Sequence, residues 1–119
     1  MFADPQTVTI NAIANTLPRT QAGIDAGVFS KDDGNVKLSI KDTYASRTRR
    51  LARLDIRKVA SDPLATGYNK EYNMSVYLVV DHPPVGFSIA EIKQQVDGLT
   101  LWLTASSGAN VTKLIGGEA

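Results

Sequence analysis

The chain has 119 residues, 43% hydrophobic and 21% charged, the make-up of one globular domain spanning 1–119 rather than a disordered or fibrous chain. Its 13 Lys and Arg against 12 Asp and Glu leave a formal net charge of only +1, which argues against indiscriminate coating of nucleic acid. Without cysteine it has no disulfide, thiolate metal site or cysteine nucleophile, and no apolar run approaches the ~20 residues of a membrane span.

In chain order, Thr7 to Ile13 alternates hydroxyl or amide with aliphatic side chains and reads as a first strand. Asn15 to Thr20, with Pro18, reads as a turn. Gly27 to Ser30 reads as a short strand, and Lys31-Asp32-Asp33-Gly34-Asn35 as a turn by composition. Val36 to Thr43 and Arg49 to Val59 read as longer strands. Between them and the next strand, Ala60 to Lys70 holds Asp62-Pro63, Gly67 and Asn69 and is expected to be an exposed loop. Tyr72 to Asp81 is the last strand, ended by His82-Pro83-Pro84.

The period then changes to that of a helix. Ser88 and Glu91 have capping-box spacing, and Ile89, Ile92, Val96, Leu99 and Leu103 recur on one face with Trp102 alongside. This helix is expected to run to about Ala105 and stop at Ser106-Ser107-Gly108. A second, from Asn110 to Ile115, should end at Gly116-Gly117.

Strands followed by helix make an α+β order, and that order leaves a covering problem. A helix of about 17 residues is ~25 Å long and ~10 Å across, whereas five strands make a sheet ~24 Å wide. One helix cannot roof it. The reading therefore expects an obligate homodimer, with the helices of each subunit over the other's sheet.

The functional clue lies in two alternating runs. Val36, Leu38 and Ile40 alternate with Lys37, Ser39 and Lys41; Ala52, Leu54 and Ile56 alternate with Arg49, Leu51, Arg53, Asp55 and Arg57. Successive strand side chains point to opposite faces, so each run has an apolar side and a largely cationic one. Arg47, Arg49, Arg50, Arg53, Arg57 and Lys58 cluster while the acids are dispersed, which implies a directed binding face in a near-neutral chain. Lys37, Ser39, Lys41 and Thr43 with Arg47, Arg49 and Arg53 form the candidate site, and Asn73, Ser75 and Tyr77 offer a third strip. Lysine and arginine meet phosphates, while asparagine, serine and tyrosine hydrogen-bond or stack on bases. The bland alternative is a solvated strand face. Glu71 and Asp55 lie on the same side, either to steer ligand or to relieve repulsion.

Little points to catalysis. His82 is the single histidine, a poor metal site without a second His or Cys, and its simpler reading is a surface or turn residue. No carboxylate pairing, nucleophile elbow or phosphate-cradling glycine loop occurs. Trp102, beside Leu99 and Leu103, reads as packing. No catalytic residue, cofactor, metal or small-molecule substrate is expected. The first residues, Met1 to Pro5, lack the blocks of a signal peptide, and a soluble protein acting where it is made is the expectation.

With those segments in view, the chain resembles the coat protein of single-stranded RNA bacteriophages of the levivirus type. Val36 to Thr43 resembles the strand that alternates core residues with RNA-facing ones. Leu51 to Ala60 resembles the next strand and its exit, and Asn73-Met74-Ser75-Val76 the segment that completes the RNA site. Elsewhere, from Thr7 to Ile115, the likeness rests on element order. It implies an N-terminal hairpin, a five-stranded antiparallel sheet and two C-terminal helices that interlock a homodimer. It further implies assembly of dimers into an icosahedral virion capsid with the sheet facing inward on single-stranded RNA, after synthesis in the bacterial host cytoplasm. The 60–70 loop would then make contacts around the symmetry axes, and in several relatives the dimer grips a genomic RNA hairpin and represses translation. Carried over, Lys37, Ser39, Lys41 and Thr43 take RNA-facing positions on the first long strand, Arg49 and Arg53 on the second, and Asn73 and Ser75 on the third. Leu51 departs from the pattern, standing where a hydroxyl is usual, as does Glu71, where an aromatic residue would stack a base. A second reading from another class stays open: a dimeric cellular RNA- or DNA-binding module that forms no shell. A third, weaker one is a small enzyme using His82.

Overall fold

The structure is a computed structural model that describes residues 2–61, 63–64 and 67–119. Its contacts divide the chain into two units, one ending at Asp81 and the other beginning at His82.

The first unit opens with a hairpin of β1 (Gln6–Ile10) and β2 (Ile13–Leu17), paired from Gln6–Leu17 to Ile10–Ile13. The single strand expected over 7–13 is therefore folded back on itself. Asn11 and Ala12 take φ of 51° and 63°, the left-handed pair that a two-residue hairpin turn requires. Asn accepts that conformation readily but Ala does not, so Ala12 disguises the turn and the alternation reads straight through. The hairpin is the one that the resemblance implies.

The turn expected over 15–20 is likewise mostly strand. Residues 15–17 belong to β2 and β3 (Arg19–Gly23) begins directly after Pro18. Asn15 is buried at 7% exposure and is not a turn residue. Its Nδ2 donates to the Val8 and Ile13 carbonyls, each at 3.2 Å, and its Oδ1 accepts from Lys31 Nζ at 3.2 Å. A buried amide with its partners supplied carries no desolvation penalty to speak of.

A five-stranded antiparallel sheet follows, in the order β3-β4-β5-β6-β7 with β4 (Ala26–Ser30), β5 (Val36–Tyr44), β6 (Thr48–Ser61) and β7 (Asn69–His82). The expected strands are present and each extends by a residue or more. The gain is largest around the expected 60–70 loop: Ala60, Ser61, Asn69 and Lys70 are in strands, leaving 62–68 as the connection. Of that loop, Asp62, Ala65 and Thr66 lie outside the described residues. The 31–35 turn is where composition puts it, closed by Gly34 N–H to Lys31 O at 2.8 Å with Gly34 at φ 72°.

Register sorts the side chains. Phe29 pairs with Leu38 and Leu38 with Leu54, a row of apolar groups on one face. The hairpin supplies Leu17 and Val8 to that face, where Leu17, Phe29 and Val36 are buried and Leu38, Ile40, Leu54 and Ile56 pack against them. Phe29 and Leu17 are the largest fully buried side chains among the described residues. This core covers the β4–β6 part of the sheet only. Farther along the apolar face, Met74 and Val76 of β7 are each 58% exposed.

The second unit carries one helical segment, α1 (Ile89–Ile115), broken where Ala105, Ser106, Ser107 and Gly108 leave helical dihedrals. Residues 89–104 and 109–115 are thus separate helical stretches, divided at the expected Ser106-Ser107-Gly108 stop. Ser106, Ser107 and Gly108 all take positive φ, and Asn110 Nδ2 ties the break together by donating to the Trp102 carbonyl at 2.8 Å. Ser88 caps the start, its Oγ accepting from Glu91 N–H at 3.2 Å and donating to Glu91 Oε1 at 3.2 Å. Gly116 and Gly117 close the end, their N–H groups bonding to Thr112 and Leu114 carbonyls. No residue of α1 is buried; of the apolar stripe Ile92, Val96 and Leu103 are half-buried, while Ile89, Leu99 and the neighbouring Trp102 are exposed. Among the described residues no helix is long and apolar enough to cross a membrane.

Candidate nucleic-acid interface

The polar face is built by the same register that builds the core. Lys37 stands opposite Asp55, Ser39 opposite Arg53, Lys41 opposite Leu51 and Thr43 opposite Arg49. β5 and β6 therefore turn their predicted site residues the same way. β7 joins through direct contacts: Arg53 Nη2 donates to Ser75 Oγ at 3.0 Å, and Ser75 Oγ donates to Asp55 Oδ1 at 2.7 Å. Lys37, Ser39, Lys41, Arg53, Asn73 and Ser75 line one open concavity of about 600 Å³, with Leu51 and Asp55 in its floor. Tyr77 has the strand parity of Ser75 and is exposed, which puts its ring on the same face beyond the concavity.

The cationic cluster of the sequence is not one patch. Odd-numbered Arg49, Arg53 and Arg57 of β6 share the polar face and Arg47 lies in the bend just before the strand, whereas Arg50 and Lys58 have the parity of Leu54 and Ile56. Arg50 sits at 3.3 Å from both Asp42 and the Tyr44 hydroxyl. That hydrogen bond, chiefly, and then Asp42 favour its charged form and raise its pKa further.

Ion pairing divides the polar-face cations again. Arg47 Nε is 2.9 Å from Asp81 Oδ1, and Arg53 Nε is 2.9 Å from Asp55 Oδ1. Arg57 is engaged by Asn35 at 3.2 Å, by the Asp33 carbonyl at 2.9 Å and more distantly by Glu71 at 4.0 Å. Lys37, Lys41 and Arg49 form no ion pair among the described residues. All three are exposed, Lys37 within the field of Asp55 across the strand pair, and these three carry the local positive field. Arg47 and Arg53, each paired with a carboxylate, are thus set apart electrically from Lys37, Lys41 and Arg49, a distinction invisible in a count of basic residues.

Asp55 is the feature that residue type alone underrates. Its Oδ1 accepts from both Arg53 and Ser75. Those bonds, the one from Ser75 foremost, and the neighbouring Arg53 and Lys37 charges hold its carboxyl below the usual carboxylate range. Strand parity already put it on this face, to steer ligand or relieve repulsion; its bonds to Arg53 and to Ser75 of the next strand come only from the tertiary structure.

His82 lies at the end of β7, its Nδ1 3.0 Å from the Pro83 carbonyl. It is thus a half-buried strand-end residue and not part of a turn. Among the described residues no group of three or more His, Cys, Asp or Glu side chains is placed to hold a metal ion.

Compared by sequence, the chain matches no protein-family model and no curated protein. Compared by structure, it superposes on the virus-like particle of bacteriophage AVE019 with a TM-score of 0.70 at 14% identity, over 89% of this chain and 90% of that one. The bacteriophage EMS014 coat protein gives 0.70 at 16% identity, over 92% and 80%. The virus-like particle of Beihai levi-like virus 21 gives 0.70 at 13%, over 97% and 94%. The chain has the levivirus coat-protein fold. Sequence identity this low, with so much of each chain superposed, means the levivirus-type fold is kept by the pattern of buried and exposed positions rather than by particular residues.

Proposed function

We propose that this chain is a capsid protein, a non-enzymatic subunit in which both units act together, whose dimers assemble into an icosahedral shell around single-stranded RNA. The observation that carries the RNA part is the Lys37, Ser39, Lys41 and Arg53 concavity, a face with open cations beside hydroxyl and amide groups. Lys37, Lys41 and Arg49 would meet phosphates. Ser39, Thr43, Asn73, Ser75 and Tyr77 would meet bases and sugars, and Arg53, fixed by Asp55, would act as a positioned donor. Arg47, neutralised by Asp81, contributes least to the field.

The dimer is argued from what one chain leaves uncovered. Met74 and Val76 on the sheet and Ile89, Leu101 and Trp102 on the helix are all more than half exposed. At ~25 cal/mol per Å² of apolar surface, side chains of this size give a strong drive to association. A helix stripe and a sheet face on each copy can satisfy each other in a two-fold exchange. The dimer would double the RNA face, which suits the genomic hairpin that the resemblance implies and so extends the proposal to translational repression. The virion is the corresponding location, with the host cytoplasm before assembly.

Expression in bacteria followed by electron microscopy and nuclease treatment tests this. The expected result is large nuclease-resistant particles with an absorbance ratio marking nucleic acid. Arg49→Ala with Arg53→Ala should lower the RNA content while shells still form. Dimers that stay small at high protein concentration and carry no RNA would refute the reading, and RNA-binding dimers without shells would favour the cellular binding module.

A further inference from the structure

The centre of the polar face holds a carboxylate, which a surface built only to neutralise phosphates would exclude. Asp55 is not deeply buried, its side chain remaining 31% exposed, so solvent and ligand both reach it. Its two oxygens differ. Oδ1 already accepts from Arg53 Nε at 2.9 Å and Ser75 Oγ at 2.7 Å, whereas Oδ2 accepts from no group among the described residues. Across the strand pair stands Lys37, with no ion pair within 4.0 Å among the described residues.

A polyanion approaching this face meets opposite instructions at the two ends of that pair. Lys37 attracts a phosphate and Asp55 repels one, so the sugar–phosphate backbone is drawn along β5 and a base is turned over β6. We infer that Asp55 reads that base, accepting the exocyclic amine of cytosine or adenine on Oδ2 and discriminating against uracil. Uracil presents a carbonyl oxygen where cytosine presents its amino group, and two acceptors facing each other repel. Guanine would engage a carboxylate by a two-donor fork that wants both oxygens, and Oδ1 is already doubly occupied. The Arg53 and Ser75 bonds also keep the carboxyl ionised and held in one orientation, as a reader of a base edge must be.

This inference rests on the RNA-binding role proposed above and adds which base chemistry the face prefers. The test is binding of short labelled oligo(rC) and oligo(rU) to the full chain near neutral pH, by fluorescence anisotropy. Both are pyrimidine strands, and they differ at the edge in question. Oligo(rC) is expected to bind about tenfold more tightly, the worth of one hydrogen bond to a charged group. Dimethylating the cytosine amino groups should abolish the advantage with the protein unaltered. Asp55→Asn keeps an acceptor for Arg53 and Ser75 but offers an amide that can donate to uracil, and should bring the rC-to-rU ratio near one. Its loss of charge strengthens binding to both strands, so the ratio and not the affinity is the readout. Equal binding of the two strands by the unaltered protein overturns the inference while leaving RNA binding intact, as does a ratio that survives dimethylation. Binding of neither strand overturns both.

Discussion

Only cations without a carboxylate partner should set the salt dependence of RNA binding. Lys37, Lys41 and Arg49 on the polar face form no ion pair among the described residues, while Arg47 is held 2.9 Å from Asp81. For single-stranded nucleic acid each neutralised phosphate contributes about 0.7 to the slope of log affinity against log salt. Lys37→Gln, Lys41→Gln and Arg49→Gln together should therefore flatten the slope by about 2. Between about 50 and 200 mM salt the unaltered protein should lose about twentyfold more affinity than the triple variant, whereas one substitution should change that loss by about 2.5-fold. Arg47→Gln should change the slope by less than half as much as Lys41→Gln, because Asp81 already cancels its charge. Anisotropy titrations of a labelled oligoribonucleotide across this salt range give the slopes directly. An Arg47→Gln effect equal to that of Lys41→Gln would refute the pairing argument, and an unchanged slope in the triple variant would refute the face itself.

Phe29→Ala empties the centre of the small core that Leu17 and Val36 share and should cost about 3–5 kcal/mol in denaturant unfolding, at unchanged particle concentration. Ser88→Ala removes the acceptor for the Glu91 amide and should cost about 1 kcal/mol, seen as faster hydrogen exchange in the first turn of α1. Ser75→Ala removes the foremost cause of the lowered Asp55 pKa, so an NMR titration of the Asp55 carboxyl should move upward toward the ordinary value. Because folding lowers that pKa, the stabilisation it brings is present above about pH 4 and fades as pH falls through the folded value. The Ser75→Ala protein should show a smaller acid-side loss.

The strands that carry the face were legible because alternation over nine and fourteen residues in β5 and β6 leaves no other period available. The Ser88 cap, the Ser106-Ser107-Gly108 break and the Gly116-Gly117 end were legible for the same reason: each depends on side chains within a few residues of one another. The hairpin was not, since Ala12 at positive φ is stabilised by ten paired strand residues and not by its own preference. Nor was β3, whose Arg19-Thr20-Gln21-Ala22-Gly23 has little strand character and is recruited by pairing with β4.

What the sequence settled by itself was periodicity, and with it which side of β5 and β6 is apolar and which is polar, because that follows from the geometry of one extended chain. What the tertiary structure alone decided was which charges remain available. Arg47 meets Asp81 thirty-four positions away, Arg53 and Asp55 meet Ser75, and Arg50 turns to the other face. Electrostatic strength depends on the distance to the nearest opposite charge, and that distance is fixed only when separate strands are brought side by side.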